Sequence, residues 1–171
     1  MTRPAELVEA YVDRVLNGKD RSVIGSVFHQ AFVDRDPLVL PGVLVGEGLD
    51  RRAGVEAQVR LLSAPGVDIR FTLEDVFDDN RERAAYRLFG EGSLPLTVEQ
   101  EHRTDGRAAD GPSTVVLRGL DVAGTDLAFE SSGLRREQAL PQRLSITYAC
   151  VGVFRAEHGQ LAERWGRPRV D

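Results

Sequence analysis

The sequence predicts an α+β fold in one domain. Three observations support this: apolar residues recur at helical spacing in the first 30 residues, one more helical segment lies at residues 49 to 63, and apolar and polar residues alternate from residue 69 onward. Because helices and strands are separated along the chain, the pattern is typical of the α+β class. A length of 171 residues suits a single core, so we expect one domain over residues 1–171.

The N-terminal segment has the apolar stripe of an amphipathic helix, formed by Leu7, Tyr11, Val12, Val15 and Leu16. Pro4 suits the first turn of this helix and Gly18 ends it. Asp20 is a suitable N-cap for a second helix. Residues 49 to 63 predict the third helix, since their apolar side chains also recur at helical spacing.

Short segments of alternating apolar and polar residues predict the strands. The stretch FVDRDP forms one strand that ends in a bend at Pro37, and residues 69 to 88 form a long hairpin. Residues 144 to 154 and 161 to 165 form another hairpin around AEHG. We expect a curved antiparallel sheet with the helices packed on its concave face, which gives a cone whose mouth holds a ligand.

A long insertion separates the two hairpins, at about residues 91–143. It is rich in Gly, Pro, Asp and Arg, which predicts irregular structure around a mobile tip at residues 104 to 111. The segment TVVL at 114 to 117 is typical of a strand, whereas residues 121 to 140 remain ambiguous. The insertion is expected either to cover the cone mouth as a lid or to extend a dimer contact.

Composition argues against several classes of function. A net charge of -5 disfavours nucleic acid, and no apolar run is long enough to cross a membrane. The N-terminal sequence lacks the apolar core of a secretory signal, so we expect a cytoplasmic protein. A single cysteine, three widely spaced histidines and glycines without a phosphate-loop pattern predict no metal and no cofactor.

Two carboxylates in FVDRDP are the first candidate catalytic residues. Asp34 and Asp36 share one face of the strand with Phe32, so both are expected at the inner wall of the cone. Burial there would raise the pKa of a carboxyl group towards the range of a general base. The alternative is that Asp36 caps the turn at Pro37 and hydrogen-bonds to the loop backbone.

Tyrosines on the predicted inner face are the next candidates. Tyr11 lies at the centre of the helical apolar stripe, where its hydroxyl group would either donate to an oxyanion or make an incidental hydrogen bond. Tyr148 and Cys150 share a face with Phe154, so these side chains line whatever that strand faces. Cys150 is read as a small core residue because no neighbouring motif lowers its pKa.

These residues resemble those of the SnoaL-like polyketide cyclases, within the nuclear transport factor 2-like superfamily that also includes ketosteroid isomerase and limonene epoxide hydrolase. The stretches AELVEAYVDRVLNGKD, FVDRDP with VGEGL, and GVFRAEHGQLAERWG carry the resemblance, together with LEDVFDDNRERAAYRL. They cover most of residues 5 to 90 and 144 to 166. The resemblance implies a cone-shaped fold, a small-molecule substrate and a homodimer.

The resemblance also implies roles for individual residues. Tyr11 matches the isomerase tyrosine that binds the substrate oxyanion, and Asp36 matches the Asp-Pro general base, a pairing for which ketosteroid isomerase is the established example. The chain departs from the family in two places. Gly152 stands where the isomerases keep a second carboxyl group, and the cyclase-like ending E-H-W-D becomes Glu-Arg-Trp-Gly, with Arg164 in place of the histidine.

The sequence therefore favours a cofactor-independent cyclase or isomerase that acts on a polyketide-like metabolite. Its expected catalytic residues are Asp36, Tyr11 and Asp34, and its expected substrate-binding residues are Arg164, Tyr86, Tyr148, Phe154 and Trp165. Arg164 either binds a carboxylate, stabilises an enolate or forms an ion pair with Asp34 or Asp36. An epoxide hydrolase or epoxide-opening ether-ring cyclase, and a non-catalytic binding protein, are the alternative functions.

Overall fold

A computed structural model of the chain describes residues 2–35, 51–95, 97–100, 115–118, 128–131 and 143–170. These residues include three α-helices and eight strands. The bend at Pro37 and the loop that follows it lie outside the described residues, and so does the tip predicted at 104 to 111.

The helices precede most of the strands, as the sequence pattern indicates. Helix α1 spans Pro4–Ala10 and continues as a π-helical segment, Tyr11–Asn17. A 3-10 turn, Arg21–Val23, leads into the short α2, Ile24–Val27, and α3 spans Arg52–Leu62. Asp20 is the predicted N-cap: its Oδ1 accepts a hydrogen bond of 3.0 Å from the Ser22 backbone.

Five strands form the main sheet, in the order β1-β8-β7-β3-β2. Their bounds are Phe28–Asp34 for β1, Asp68–Asp78 for β2, Arg83–Pro95 for β3, Arg143–Glu157 for β7 and Gln160–Val170 for β8. The predicted α+β class is confirmed. The sheet is mixed because β1 lies parallel to β8, whereas the other neighbours are antiparallel.

The insertion contains a second, three-stranded antiparallel sheet with the order β4-β5-β6. Its strands are Thr97–Gln100, Val115–Arg118 and Ala128–Ser131. The strand predicted from TVVL is therefore present as β5, and β6 lies in the segment that was ambiguous in sequence. Strand β3 extends to Pro95, so only residues 96–142 separate the two long strands β3 and β7.

The main sheet has an inner face that packs against the helices and an outer face. Alternating side chains of β7 point inward and are buried: Ile146, Tyr148, Cys150, Phe154 and Ala156. The helical residues Val8, Val12, Val15 and Leu16 are buried with them in one hydrophobic core. Each large apolar side chain of this core contributes roughly 1.5–3 kcal/mol by leaving water.

Asn17 fixes the end of the N-terminal helical segment to the sheet edge. Its Nδ2 donates to the Phe71 carbonyl oxygen and its Oδ1 accepts from the Phe71 backbone N–H, both at 2.8 Å. The amide thus replaces a neighbouring strand at the edge of β2. This contact fixes the position of the segment that carries Tyr11 relative to the sheet.

Tight turns set the register of both hairpins. Asp79 Oδ1 accepts hydrogen bonds of 2.9 to 3.0 Å from three successive backbone N–H groups, those of Arg81, Glu82 and Arg83. The β7–β8 turn consists of His158 and Gly159, both with positive φ, of 52° and 77°. This conformation matches the twist of a two-residue hairpin, so the predicted C-terminal hairpin is confirmed.

In the part of the chain that the structure describes, every helix is too short or too polar to cross a membrane.

Candidate active site on the inner face of the sheet

Arg164 lies at the centre of the candidate site. It is on β8, its side chain points to the inner face, and only 4% of its surface is exposed. A guanidinium group stays protonated in proteins, so β8 holds a permanent positive charge inside the fold. The site is best described by the groups that surround this charge.

Asp34 supplies the opposite charge. It is the last residue of β1 and stands next to Arg164 in the parallel pairing of β1 with β8. Its Oδ2 lies 3.3 Å from Arg164 Nη1, and 7% of the residue is exposed. The backbone supports the arrangement, because the Arg35 N–H donates to the Arg164 carbonyl oxygen at 2.9 Å.

The strand alternation predicted for FVDRDP is present as far as the structure describes it. Phe32 and Asp34 are buried on one face, while Arg35 pairs with Glu163 at 2.8 Å on the other. Among the alternatives left open for Arg164, the ion pair with Asp34 is present. Asp36 lies outside the described residues, so its catalytic role stays a prediction.

A buried ion pair of this kind is weak evidence for stability. Removing two charges from water costs several kcal/mol per ion, and the attraction between them offsets this only with good geometry and further hydrogen bonds. A hydrophobic pair of similar size often gives an equally stable protein. The Asp34–Arg164 pair is therefore characterised by its geometry and charge, and its role is part of the proposed function.

All three tyrosines of the chain lie around Arg164. Tyr11 comes from the N-terminal helical segment, Tyr86 from β3 and Tyr148 from β7, and all three are buried. Arg164 interacts electrostatically with each phenol, and it also hydrogen-bonds to Tyr11. The Tyr11 hydroxyl in turn donates to Gln58 Oε1 at 3.5 Å.

Burial keeps these phenols in their neutral form. It raises the pKa of Tyr11 to about 12, although the Arg164 charge acts in the opposite direction. Burial raises the pKa of Tyr86 and Tyr148 even further. At neutral pH the inner face therefore carries three O–H groups, each able to donate a hydrogen bond.

Arg164 remains fully charged in this environment. Burial opposes its charged form, but the negative charges that Tyr86, Tyr11 and Asp34 carry when ionised favour it more strongly, so the pKa of Arg164 is raised. The site thus combines one fixed cation, one carboxylate beside it and three neutral phenols. Such a set of donors suits an oxygen atom that gains negative charge during a reaction.

Aromatic contacts fix the orientation of the phenol rings. Tyr86 stacks on Phe154 with ring centroids 5.1 Å apart, and Tyr11 meets Phe154 edge-to-face at 5.7 Å. Phe154 also stands opposite Arg164 in the β7–β8 register. These contacts make Phe154 the shared wall between two phenols and the guanidinium.

Two glycines opposite each other on β7 and β8 leave room for the polar groups. A Cβ at Gly152 would lie 2.6 Å from Tyr86 Oη, so the Tyr86 hydroxyl occupies the space of a side chain at that position. A Cβ at Gly166 would lie 3.0 Å from Cys150 Sγ and 3.6 Å from Arg164 Nε. Cys150 is also 3.6 Å from the Tyr86 hydroxyl.

The structure brings together most of the residues predicted for the site. Arg164, Asp34 and Phe154 meet Tyr11, Tyr86 and Tyr148 on the inner face. Trp165 does not join them, because it follows Arg164 in the strand and points to the outer face, where 38% of it is exposed. Within the described ranges, no group of three or more His, Cys, Asp or Glu side chains could hold a metal ion.

Sequence reasoning missed Gln58 and the role of Gly166. Gln58 was hidden because a polar residue beside Val55, Val59 and Leu62 in α3 looks like one edge of an amphipathic helix. Gly166 was read as a lost aspartate, whereas its missing side chain gives space to Cys150, whose Sγ would lie 3.0 Å from a Cβ there. The sequence did offer a signal for Gly166: it lies two residues after Arg164, so in a strand both residues are on the same face.

This α+β architecture is the fold of the SnoaL-like polyketide cyclases, as the sequence resemblance predicted. One solved structure with this fold is a SnoaL-like polyketide cyclase from Agrobacterium tumefaciens, with a TM-score of 0.53 and 12% identity over 99% of this chain and 93% of that one. IdmH from Streptomyces antibioticus has a TM-score of 0.53 and 12% identity, over 96% of this chain and 91% of that one. TsrD from Streptomyces laurentii has a TM-score of 0.51 and 17% identity, over 95% of this chain and 85% of that one.

These similarities establish the fold and nothing more. All three sequence identities are below the level at which function can be transferred. No protein-family model matches the sequence, and no curated protein matches it. The function must therefore be argued from the inner-face site.

Proposed function

We propose that this protein is a cofactor-independent cyclase or isomerase that acts on a polyketide-like carbonyl compound of secondary metabolism by general acid/base catalysis. The observation that carries the proposal is the convergence of three neutral phenols and the buried Arg164–Asp34 pair on the inner face. Its fold, shared with SnoaL-like polyketide cyclases, supports the choice of substrate class.

Asp36 is the proposed general base. It follows Asp34 by two residues, so continued strand alternation would direct it to the same face, and Pro37 favours an extended conformation there. Its carboxylate would take a proton from the carbon next to a carbonyl group, and the electron pair would move to the carbonyl oxygen. Asp36 would then carry the proton that the substrate has lost.

Tyr11 and Arg164 are the proposed oxyanion donors. The guanidinium N–H groups and the Tyr11 O–H would stabilise the enolate oxygen in a site removed from water, and the Tyr11 hydroxyl would turn from Gln58 Oε1 to the substrate. In a cyclisation, the enolate carbon attacks a second carbonyl carbon of the same chain, and the new alkoxide takes a proton. In an isomerisation, protonated Asp36 returns the proton to a different carbon.

The expected contributions are consistent with an enzyme of this kind. A positioned general base gives roughly 10²- to 10⁴-fold in rate, and one oxyanion donor gives roughly 10²- to 10³-fold. Tyr86, Tyr148 and Phe154 are proposed to hold the substrate in a reactive conformation, which supplies much of the remainder.

The Asp34–Arg164 ion pair makes Asp34 a poor candidate for the protonated acid of an epoxide-opening enzyme. An epoxide hydrolase or ether-ring cyclase would use Asp34 and Asp36 as an acid and base pair, with one carboxyl group protonated. A neighbouring guanidinium at 3.3 Å favours the ionised form of Asp34 instead. Hydrolysis would introduce oxygen from labelled water into a product of styrene oxide, whereas the proposed reactions would not.

Proton exchange tests the proposal without knowledge of the natural substrate. The protein is incubated in D₂O with 2-tetralone, a small ketone with acidic protons next to its carbonyl group, and the loss of these signals is followed by ¹H NMR. We expect wild-type protein to accelerate exchange, and Tyr11→Phe to lower the rate roughly 100-fold while it keeps the ring contacts with Phe28 and Phe154. Binding of 2-tetralone without any exchange would instead favour a binding protein.

We also propose a homodimer that forms through the outer face of the main sheet. Four residues stand side by side across four strands there: Phe77, Ala85, Val153 and Trp165. Phe77 is 69% exposed, which is costly for a phenylalanine unless a partner covers it. The predicted cytoplasmic location, and the predicted absence of nucleic-acid and membrane partners, stay predictions.

A further inference from the structure

The two charged side chains that the structure describes as buried on the inner face cancel each other, and the proposed base Asp36 would add one negative charge when ionised. Among the described residues, the buried charged groups are Asp34 and Arg164, and they have opposite signs. We infer that the site selects an uncharged substrate and that Asp34 sets this selection by occupying the guanidinium of Arg164. The inference rests on the proposed function and adds the charge class of the substrate.

A carboxylate would meet two obstacles in this site. It would bring a net negative charge among buried aromatic rings, and it would compete with Asp34 for the guanidinium. The repulsion between two carboxylates that share one arginine is enough to weaken binding roughly 100-fold at the effective dielectric constant of a protein interior. A neutral ketone of the same shape meets neither obstacle.

The phenols are suited to a neutral carbonyl oxygen. Tyr11, Tyr86 and Tyr148 are protonated, so each offers a hydrogen-bond donor without adding charge. When a base removes a proton from the substrate, the negative charge moves from that base to the substrate oxygen. The total charge of the site is then the same before and after proton transfer, which avoids any further desolvation cost.

Asp34 acts here through Arg164 and is a positioning residue. Its neighbour Glu163 provides a natural comparison, because Glu163 comes directly before Arg164 on β8 but points to the outer face. There it pairs with Arg35 at 2.8 Å and Arg155 at 3.4 Å. Asp34→Asn and Glu163→Gln therefore each remove one negative charge near Arg164, on opposite faces of the sheet.

The test compares two aromatic probes of similar shape, the ketone 2-acetylnaphthalene and the anion 2-naphthoate. Their Kd values are measured at neutral pH by isothermal titration calorimetry with wild-type protein, Asp34→Asn and Glu163→Gln. We expect wild type to bind the ketone at least tenfold more tightly than 2-naphthoate. In Asp34→Asn, the ratio of the two Kd values should shift roughly 100-fold in favour of 2-naphthoate. Glu163→Gln should keep the wild-type ratio, because its charge is on the other face.

A folding control keeps the inference testable. If Asp34→Asn unfolds, the double variant Asp34→Asn/Arg164→Gln removes both charges, and it should keep the preference for the ketone. The inference is overturned if wild type binds 2-naphthoate as tightly as the ketone, if folded Asp34→Asn leaves the ratio unchanged, or if neither probe binds to wild type. Exchange of 2-tetralone protons is measured separately. If wild type exchanges these protons but does not prefer the ketone over 2-naphthoate, only this inference is overturned. If wild type prefers the ketone but exchanges no protons, only the proposed function is overturned.

Discussion

At the residue scale, the proposed chemistry depends on a guanidinium removed from water and surrounded by hydroxyl groups. Arg164 cannot lose its charge, so its neighbours adapt: Asp34 stays ionised beside it and the phenols stay protonated. Neither state requires a metal ion. The arrangement resembles a preorganised site for a developing negative charge, which is the feature on which the proposed acid/base chemistry depends.

Tyrosine ionisation tests this electrostatic environment directly. Because the pKa of Tyr11 is raised to about 12 in the folded state from an ordinary value of 10.0, the folded state binds the proton more tightly than the unfolded state. Its contribution to stability is complete below pH 10 and decreases as the pH rises towards 12, by roughly 3 kcal/mol. The pKa values of Tyr86 and Tyr148 are also raised, so they add to the same loss.

Ultraviolet absorbance at the tyrosinate band measures this effect, since the chain has only three tyrosines and all are in the site. The folded protein should show almost no tyrosinate at pH 10, and the signal should appear together with loss of the circular dichroism of the fold. A tyrosine that titrates near pH 10 in folded protein would show that the hydroxyl groups are solvated.

Several residue placements followed from periodicity alone. The alternation in FVDRDP correctly placed Asp34 with Phe32, and the helical stripe correctly buried Tyr11. The sequence left Asp34 and Asp36 as alternative ion-pair partners of Arg164, because the choice between them depends on which strands become neighbours. Periodicity specifies the face of a strand and gives no information about its neighbour.

At the element scale, the C-terminal hairpin builds most of the site. Strands β7 and β8 carry Tyr148, Phe154 and Arg164, and their register places Gly152 opposite Gly166. The sequence predicted this hairpin from its alternation and its turn. It did not predict that β1 would lie parallel to β8, since a single strand followed by a helix carries no signal for its partner or direction.

The glycine at 152 has a specific role that a pair of substitutions can test. Gly152→Ala would place a methyl group 2.6 Å from the Tyr86 hydroxyl and 2.7 Å from the Trp165 backbone oxygen. Because the backbone contact cannot move easily, we expect a loss of about 1–3 kcal/mol in unfolding free energy. Gly25→Ala is the matched control: its new methyl group meets nothing within 4 Å, so it should be neutral or slightly stabilising.

Urea denaturation followed by circular dichroism compares the two alanine variants with wild type. Equal stability of Gly152→Ala and Gly25→Ala would contradict the close contact between Tyr86 and β7. A lower unfolding free energy in Gly152→Ala alone, accompanied by altered absorbance of the buried tyrosines, would support that contact.

At the scale of the whole molecule, the two faces of the main sheet carry different side chains. The inner face holds the site and the core, while the outer face presents the row from Phe77 to Trp165. The sequence predicted the overall fold because its motifs kept the order and spacing of the SnoaL-like proteins. It placed Trp165 with the substrate, although adjacent residues of a strand point in opposite directions.

The outer face gives a prediction about assembly. Sedimentation equilibrium should show a dimer of the 171-residue chain, and Trp165→Arg should shift it towards monomer by placing a charge within the apolar row. Glu9→Arg also introduces an arginine, but at an exposed position of α1, and it should leave the dimer intact. A monomeric wild type at all concentrations would contradict the proposed interface.

The central claim is that the inner face is a catalytic site in which Asp36 removes a substrate proton. Proton exchange from 2-tetralone in D₂O, measured for wild type, Asp36→Asn and Asp13→Asn, tests it most directly. Asp13 is an exposed carboxylate in the same helical segment as Tyr11, so Asp13→Asn controls for the loss of one negative charge. Asp36→Asn should lower the exchange rate by roughly 10²-fold or more while thermal stability stays equal or rises, and Asp13→Asn should exchange like wild type. Exchange by folded Asp36→Asn at the wild-type rate would contradict the account.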